Sequence, residues 1–157
     1  MNAIETHALT RRFGAHTAVD GLDLTVRQGE LFALLGVNGA GKTTTLRMLS
    51  GLLQPTGGEA DILGFRLTQQ PQEIKRRINL SPQETAVAPN LTVRENLELI
   101  AGIYGASRRE AAQRAAETIA EFRLGEVERS RAKTLSGGWQ RRLSIAMALI
   151  SQPQLVF

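Results

Sequence analysis

The sequence predicts an α/β fold, with strands in the first part of the chain and helices in the second. Three observations lead to this prediction. Residues 31–35 are continuously apolar and lie between turn signals, which is typical of a strand buried on both faces of a parallel sheet. A glycine-rich loop and a short helical pattern follow this run directly. From about residue 84 onward, apolar residues recur at the spacing of amphipathic helices.

The first sixty residues are predicted to form strands and turns, with one helix among them. Residues 2–9 and 19–26 alternate in part between apolar and polar side chains, as short strands do. Residues 43–50 are predicted to form a helix that stops at Gly51. Residues 58–64 are predicted to be a further strand or hairpin.

The second part is predicted to contain three helices. Residues 92–95 and 107–110 are capping boxes, in which a hydroxyl and a glutamate satisfy the backbone N–H groups of a helix start. A third helix is predicted from 136–138 to about Ile150, before an extended apolar segment at 154–157. The apolar stripes of the first two helices are Val93, Leu97, Ile100 and Tyr104, and Ala111, Ala115, Ile119 and Phe122.

Composition excludes several classes of function. The chain of 157 residues has no cysteine and two histidines, which excludes a disulfide scaffold, a thiolate zinc site and a cysteine nucleophile. The 19 basic residues exceed the 15 acidic ones, but they are scattered and aromatic residues make up only 4%, so no nucleic-acid interface is predicted. No apolar stretch approaches the ~20 residues that span a bilayer, and no secretory signal is recognisable, so we expect a cytoplasmic location.

The loop after the apolar run has the pattern of a phosphate-binding loop. Gly36 is followed by four residues and then by Gly41-Lys42-Thr43, between a predicted strand and a predicted helix. Glycines let successive N–H groups converge on an anion, and the helix adds the positive end of its dipole. We expect Lys42 to reach the β- and γ-phosphates and Thr43 to offer its hydroxyl to Mg²⁺. The predicted nucleoside triphosphate site comprises Gly36, Asn38, Gly39, Ala40, Gly41, Lys42, Thr43 and Thr44.

A second motif identifies the kind of ATPase. Leu135-Ser136-Gly137-Gly138-Trp139-Gln140 places two glycines after a serine at a predicted helix start, which suits an anion but also an ordinary serine N-cap. Downstream of a phosphate loop, it resembles the signature of ATP-binding cassette (ABC) ATPases, and the resemblance covers essentially the whole chain. Residues 51–58 and 91–97 are most similar to bacterial exporters of the drug and antibiotic-resistance type.

The resemblance implies roles for residues and two cofactors, ATP and Mg²⁺. Phe13, in the turn after the first strand, stands where the family has an aromatic residue that stacks on adenine. Gln83 stands where it has a glutamine that approaches Mg²⁺ and the attacking water. In the family, the signature serves an ATP held by the opposite subunit. Ser136, Gly137 and Gly138 would therefore contact the γ-phosphate of a partner's ATP.

The resemblance also implies a division of the chain and its partners. Residues 1–83 would be the ATP-binding core, 84–134 the helical subdomain, and 135–157 the signature helix with the start of the Walker B strand. The partners would be a second ATPase domain, bound head to tail, and transmembrane permease subunits at the inner face of the cell membrane. No direct contact with nucleic acid is expected. The family's Mg²⁺-binding aspartate, its general-base glutamate and its switch histidine would follow Phe157, so we expect part of a longer ATPase that is inactive alone.

Two other functions remain open at this point. One is a cassette ATPase without a transporter, acting on nucleic acid or ribosomes, although the short helical span argues against the chromosome-maintenance type. The other is a non-catalytic module that pairs with a complete ATPase. The reading frame after Phe157 distinguishes these possibilities, because an aspartate–glutamate pair would indicate a longer ATPase and a stop codon would favour the module.

Overall fold

The computed structural model describes residues 1–81 and 85–157, which form two compact units. The first unit consists of Met1–Ile78 with Phe157, and the second of Asn79–Val156. The phosphate loop, residues 36–44, belongs to the first unit, and the signature residues belong to the second. The predicted functional division into an ATP-binding core (1–83), a helical subdomain (84–134) and a signature segment (135–157) stays a prediction.

The first unit is built on an antiparallel sheet of four strands. These are β1 (Asn2–Phe13), β2 (His16–Arg27), β3 (Gly57–Ile62) and β4 (Phe65–Arg66), in the order β2-β1-β3-β4. Ile4 of β1 lies opposite Val26 and Ile62, and all three side chains are buried.

The first two strands are longer than predicted. Phe13 pairs with His16, so only two residues form the turn between β1 and β2. Gly14 takes a φ of +57°, a value that suits the first position of such a tight hairpin turn. Phe13 therefore ends a strand instead of lying in the turn, which corrects the prediction for this residue.

Two helices belong to the same unit, α1 (Lys42–Leu49) and α2 (Pro71–Lys75). On α1, Met48 and Leu49 are buried, and their burial anchors the helix that follows the phosphate loop. Gly51 has a φ of +69° just after α1, which confirms the predicted helix and its glycine stop.

The predicted strand at residues 31–35 does not form. These residues are in neither a strand nor a helix, and the side chains of Leu31 and Leu35 are 100% and 86% exposed. A strand inside a parallel sheet needs neighbours on both edges to pair its N–H and C=O groups. Among the described residues, none of the strands that pair into sheets includes this segment. The prediction was wrong because apolar sequence does not make a buried strand without strands beside it.

The second unit is mainly helical. Its α-helices are α3 (Val93–Ile103), α4 (Arg108–Glu121) and α5 (Gly137–Leu149), and the short strand β6 (Leu155–Val156) follows them. Two 3-10 helices, Gly125–Val127 and Ala132–Thr134, lie between α4 and α5. The strand β5 (Ile78–Asn79) crosses the boundary between the units. Within the described part of the chain, no helix has both the length and the apolar character needed to cross a membrane.

Both predicted capping boxes are present. Thr92 Oγ1 accepts from the backbone N–H of Glu95, and the Glu95 carboxylate accepts from the backbone N–H of Thr92 at 2.7 Å. Ser107 and Glu110 repeat this arrangement at the start of α4. The hydrogen bonds that each carboxylate accepts from its capping residue hold the pKa of Glu95 and of Glu110 below the ordinary value. The two helix starts are therefore fixed by local sequence.

One apolar cluster holds the three helices together. The predicted stripes of α3 and α4 supply part of it, together with α5 and the segments between the helices, although Ile100 and Phe122 are only partly buried. Tyr104 departs from the prediction, because α3 ends at Ile103 and the tyrosine side chain is 44% exposed. The buried cluster consists of Val93, Leu97, Ala101, Ala111, Ala115, Ile119, Leu124, Ala132, Leu143, Ala146, Met147 and Ile150.

Candidate nucleotide-binding site

The phosphate loop closes around the ammonium group of Lys42. Lys42 Nζ donates to the carbonyl oxygen of Gly36 at 2.6 Å and to that of Val37 at 2.8 Å. The backbone N–H of Ala40 also donates to the Val37 carbonyl, at 3.2 Å. The first and last parts of the loop are therefore held together, with the positive charge of the lysine at their meeting point.

Two glycines shape the loop for different reasons. Gly39 and Gly41 have φ angles of +85° and +82°, in the region that side chains disfavour. At Gly39 a Cβ atom would meet nothing within 4 Å, whereas at Gly41 it would lie 2.3 Å from the carbonyl oxygen of Ala18 on β2. Gly41 therefore allows the turn of the loop and also lets the loop backbone approach β2 closely.

The start of α1 is open to an anion. Its N-cap is Gly41, which has no side chain to accept a hydrogen bond from the helix start. The first turn contains no acidic residue. The first N–H groups of a helix have no acceptor within the helix, and they carry the positive end of its dipole. Together with the ammonium group of Lys42, they have the chemistry that suits a phosphate group. All the residues predicted for the loop are thus brought together in 36–44.

The predicted metal ligands are Thr43 and Gln83. Thr43 is exposed at the start of α1, and its hydroxyl oxygen makes no hydrogen bond within the described residues. Mg²⁺ prefers oxygen ligands and commonly combines few protein ligands with phosphate oxygens and water, so the Thr43 hydroxyl fits such an ion. Gln83 lies outside the described residues, and its role stays a prediction. In residues 1–81 and 85–157, no group of three His, Asp or Glu side chains is arranged to hold a metal ion.

Phe13 lies close to the phosphate loop along the sheet. It pairs with His16, and Ala18, two residues further along β2, is the residue against which Gly41 fits. At a rise of ~3.3 Å per residue, this separation is only about 7 Å along the strand. The Phe13 side chain is 48% exposed, and the guanidinium carbon of Arg11 lies 4.6 Å from the centre of its ring.

The signature residues form the start of α5 in the second unit. Ser136 is the N-cap, and its side chain makes no capping hydrogen bond. Gly137 and Gly138 are the first two helical residues, are exposed, and have nothing within 4 Å of where a Cβ atom would stand. This helix start therefore presents backbone N–H groups and a hydroxyl without side chains in front of them.

Gln140 holds the chain segment that precedes the signature serine, a role that was not predicted from the sequence. Its Nε2 donates to the carbonyl oxygens of Ala132 at 3.0 Å and Leu135 at 3.3 Å, which fixes the chain just before Ser136. Trp139, next to it, packs against the helical core. The sequence signal was present in the spacing, because Gln140 lies one helical turn after the N-cap.

Comparison with known proteins places the chain in a family. The model of the family described as "ABC transporter" matches residues 19–157. The chain is 44% identical over 155 residues to the daunorubicin/doxorubicin resistance ATP-binding protein DrrA of Streptomyces peucetius, covering 99% of this chain and 47% of that protein. It is 37% identical to the linearmycin resistance ATP-binding protein LnrL of Bacillus subtilis (strain 168), covering 98% and 49%. The chain spans about half the length of these curated relatives.

Solved structures confirm the predicted fold class. The ATP-binding subunit of an ABC transporter is similar with a TM-score of 0.83 and 32% identity, over 98% of this chain and 64% of that one. A dimeric ATP-binding cassette in a post-hydrolysis state, bound to ADP and Pi, is similar with a TM-score of 0.82 and 28% identity, over 98% and 72%. The family resemblance predicted from the two motifs is confirmed. The chain belongs to the ABC transporter family and has the fold of its ATPase subunits.

Proposed function

We propose that this chain binds Mg-ATP as the ATP-binding subunit of an ABC exporter of drug-like or antibiotic compounds. The observation that carries the proposal is the loop at 36–44, which holds the ammonium group of Lys42 beside an uncapped helix start. The names of its relatives, which are resistance ATP-binding proteins, support the exporter assignment.

Each part of the loop has a task in this proposal. Lys42 exchanges its two carbonyl acceptors for oxygens of the β- and γ-phosphates, while the N–H groups at the start of α1 bind the same phosphates. The Thr43 hydroxyl and the Gln83 amide would be ligands of Mg²⁺, which neutralises phosphate charge when bound. Phe13, at the end of β1, stacks on the adenine ring.

The signature acts on a second chain's nucleotide in this proposal. Among the described helices, α1 and α5 have starts suited to an anion, which is one more than a single bound ATP needs. In two copies arranged head to tail, both helix starts bind the same nucleotide. The start of α1 in one copy holds the ATP, and Ser136, Gly137 and Gly138 of the other copy contact its γ-phosphate. The dimeric solved relative supports this arrangement. Permease subunits at the inner face of the cell membrane are the proposed further partners.

Substitution of Ser136 tests the cross-subunit role. We expect Ser136→Arg to leave the ATP affinity of the single chain within about twofold, because its ligand belongs to a partner. The same substitution should prevent ATP-dependent self-association, because a bulky cation blocks the exposed helix start. Equilibrium binding and sedimentation velocity at saturating ATP measure the two properties. Ala116→Arg is the control, since it adds the same side chain at an exposed position of α4. A joint loss of affinity and association in Ser136→Arg would contradict the role.

The 157-residue chain is expected to bind ATP without hydrolysing it. A general base must come within hydrogen-bond reach of the attacking water, and the amide of Gln83 cannot accept the proton in that way. The family resemblance places the glutamate that does so after the strand beginning at Leu155. Phosphate release measured with malachite green, in samples whose ATP binding is measured in parallel, checks this expectation. Release faster than that of Lys42→Ala would contradict it, whereas failure to bind ATP would overturn the proposed function itself.

A further inference from the structure

The ring of Phe13 has a guanidinium group on one side. The Cζ atom of Arg11 lies 4.6 Å from the ring centroid, within the range of a cation–π interaction. The two residues are neighbours on the same side of β1, because they are two positions apart on a strand. The phenylalanine side chain is nevertheless half exposed, so the guanidinium covers only part of it.

Arg11 is held in this place by a hydrogen bond to another segment. Its Nη1 donates to the carbonyl oxygen of Gln54 at 2.7 Å. Its Nε is buried and has no hydrogen-bond acceptor among the described residues. The face of the Phe13 ring is therefore one of the partners of the guanidinium, beside the Gln54 carbonyl.

Gln54 connects this arrangement to the phosphate loop. It lies five residues after the end of α1, the helix that starts at Lys42. The neighbouring residues strengthen the attachment, because the backbone N–H of Thr56 donates to the Thr10 carbonyl and the Thr56 hydroxyl accepts from the backbone N–H of Arg12. The end of β1 is thus tied to the segment after α1, while the phosphate loop lies at the start of the same helix.

We propose that Arg11 is a positioning residue for the purine base, acting through the ring of Phe13. This inference rests on the proposed function, in which Phe13 stacks on adenine. With one face of the ring against the guanidinium, the base stacks on the other face. Arg11 then sets the distance and angle between the stacking surface and the phosphate loop, and it does so without touching the nucleotide.

Two physical effects give Arg11 influence over affinity. It holds the ring in its stacking position before the nucleotide arrives, so less side-chain freedom is lost on binding. It also draws π-electron density toward one face of the ring, which reduces repulsion between the other face and the π-electrons of the base. Both effects act on the base and neither acts on the phosphates.

The test compares two probes on the full chain. Equilibrium dissociation constants are measured for ATP and for inorganic tripolyphosphate, which has the phosphates but no base. We expect Arg11→Gln to weaken ATP binding about two- to fivefold, the size of an exposed cation–π interaction, and to leave tripolyphosphate unchanged. Arg12→Gln is the matched control, because it removes the same charge from the next residue, whose side chain is exposed. Arg11→Lys, which keeps the charge, should recover part of the ATP affinity.

The outcomes separate this inference from the proposed function. Unchanged ATP affinity in Arg11→Gln, or an equal loss for both probes, would overturn the positioning role. An equal loss in Arg12→Gln would also overturn it, because the effect would then be general electrostatic attraction. Phe13→Ala tests the underlying step: if it leaves the ATP affinity unchanged while the wild-type chain binds ATP, the stacking role of Phe13 fails and this inference fails with it. If the wild-type chain binds neither probe, the phosphate site itself is refuted.

Discussion

Lys42→Ala is expected to lower the affinity of the chain for ATP by about 100-fold. Hydrogen bonds to charged groups contribute roughly 1.5–3 kcal/mol each, and loss of about 3 kcal/mol corresponds to about two powers of ten in the dissociation constant. The substitution removes the only side-chain cation that the structure places inside the described loop at 36–44. Folding should change little, because the hydrogen bonds of Lys42 to the Gly36 and Val37 carbonyls are exposed and water can replace them.

Isothermal titration with ATP, together with a urea unfolding curve, checks this expectation. Lys75→Ala is the control, because it removes the same side chain from α2 in the same unit, outside the loop. An unchanged dissociation constant in Lys42→Ala would refute the nucleotide site. A large loss in stability would show that Lys42 acts through the fold instead of through the ligand.

Gly41→Ala is expected to destabilise the first unit by about 3 kcal/mol, a large share of the stability of a small protein. A left-handed backbone costs a residue with a Cβ atom roughly 1–2 kcal/mol, and overpacking adds roughly 1–3 kcal/mol. Here the added atom would lie 2.3 Å from the Ala18 carbonyl oxygen, so either β2 or the start of α1 must move.

Gly39→Ala isolates the contribution of that contact. Gly39 has nearly the same φ as Gly41, but its Cβ atom would stand in open space. We therefore expect a loss of only about 1 kcal/mol, from the backbone alone. Urea unfolding of both variants without nucleotide measures the difference. Equal losses would contradict the close approach of the loop to β2.

Features set by neighbouring residues were predictable from the sequence. The two capping boxes and the glycine that stops α1 each depend on a few consecutive residues, and all have the expected local structure. The run at 31–35 was not predictable in this way, because its structure depends on strands that pair with it. Its apolar character favours a strand buried between neighbouring strands, and the described strands do not pair with this segment.

The partners of buried polar residues were a second feature that could not be predicted from the sequence. Asn96 lies on α3 between apolar positions and is fully buried. Its Nδ2 donates to the carbonyl oxygens of Ala88, Leu91 and Thr92, and its Oδ1 accepts from the backbone N–H of Ala88 at 2.7 Å. A buried amide is stable only when such partners surround it, and they are set by the path of the preceding loop. Periodicity alone cannot identify that path.

The two carbonyl contacts of Lys42 make nucleotide binding an exchange reaction. The ammonium group donates hydrogen bonds to the carbonyls of Gly36 and Val37. A phosphate must therefore compete with these two carbonyl oxygens for the ammonium group. A neutral hydroxyl or amide gains little by this displacement, because it replaces one dipole with another of similar strength. An anion gains more, because the ammonium group then faces a full negative charge instead of the dipole of a carbonyl group. We therefore expect the closed loop to act as a charge filter that favours anionic ligands over uncharged polar ones.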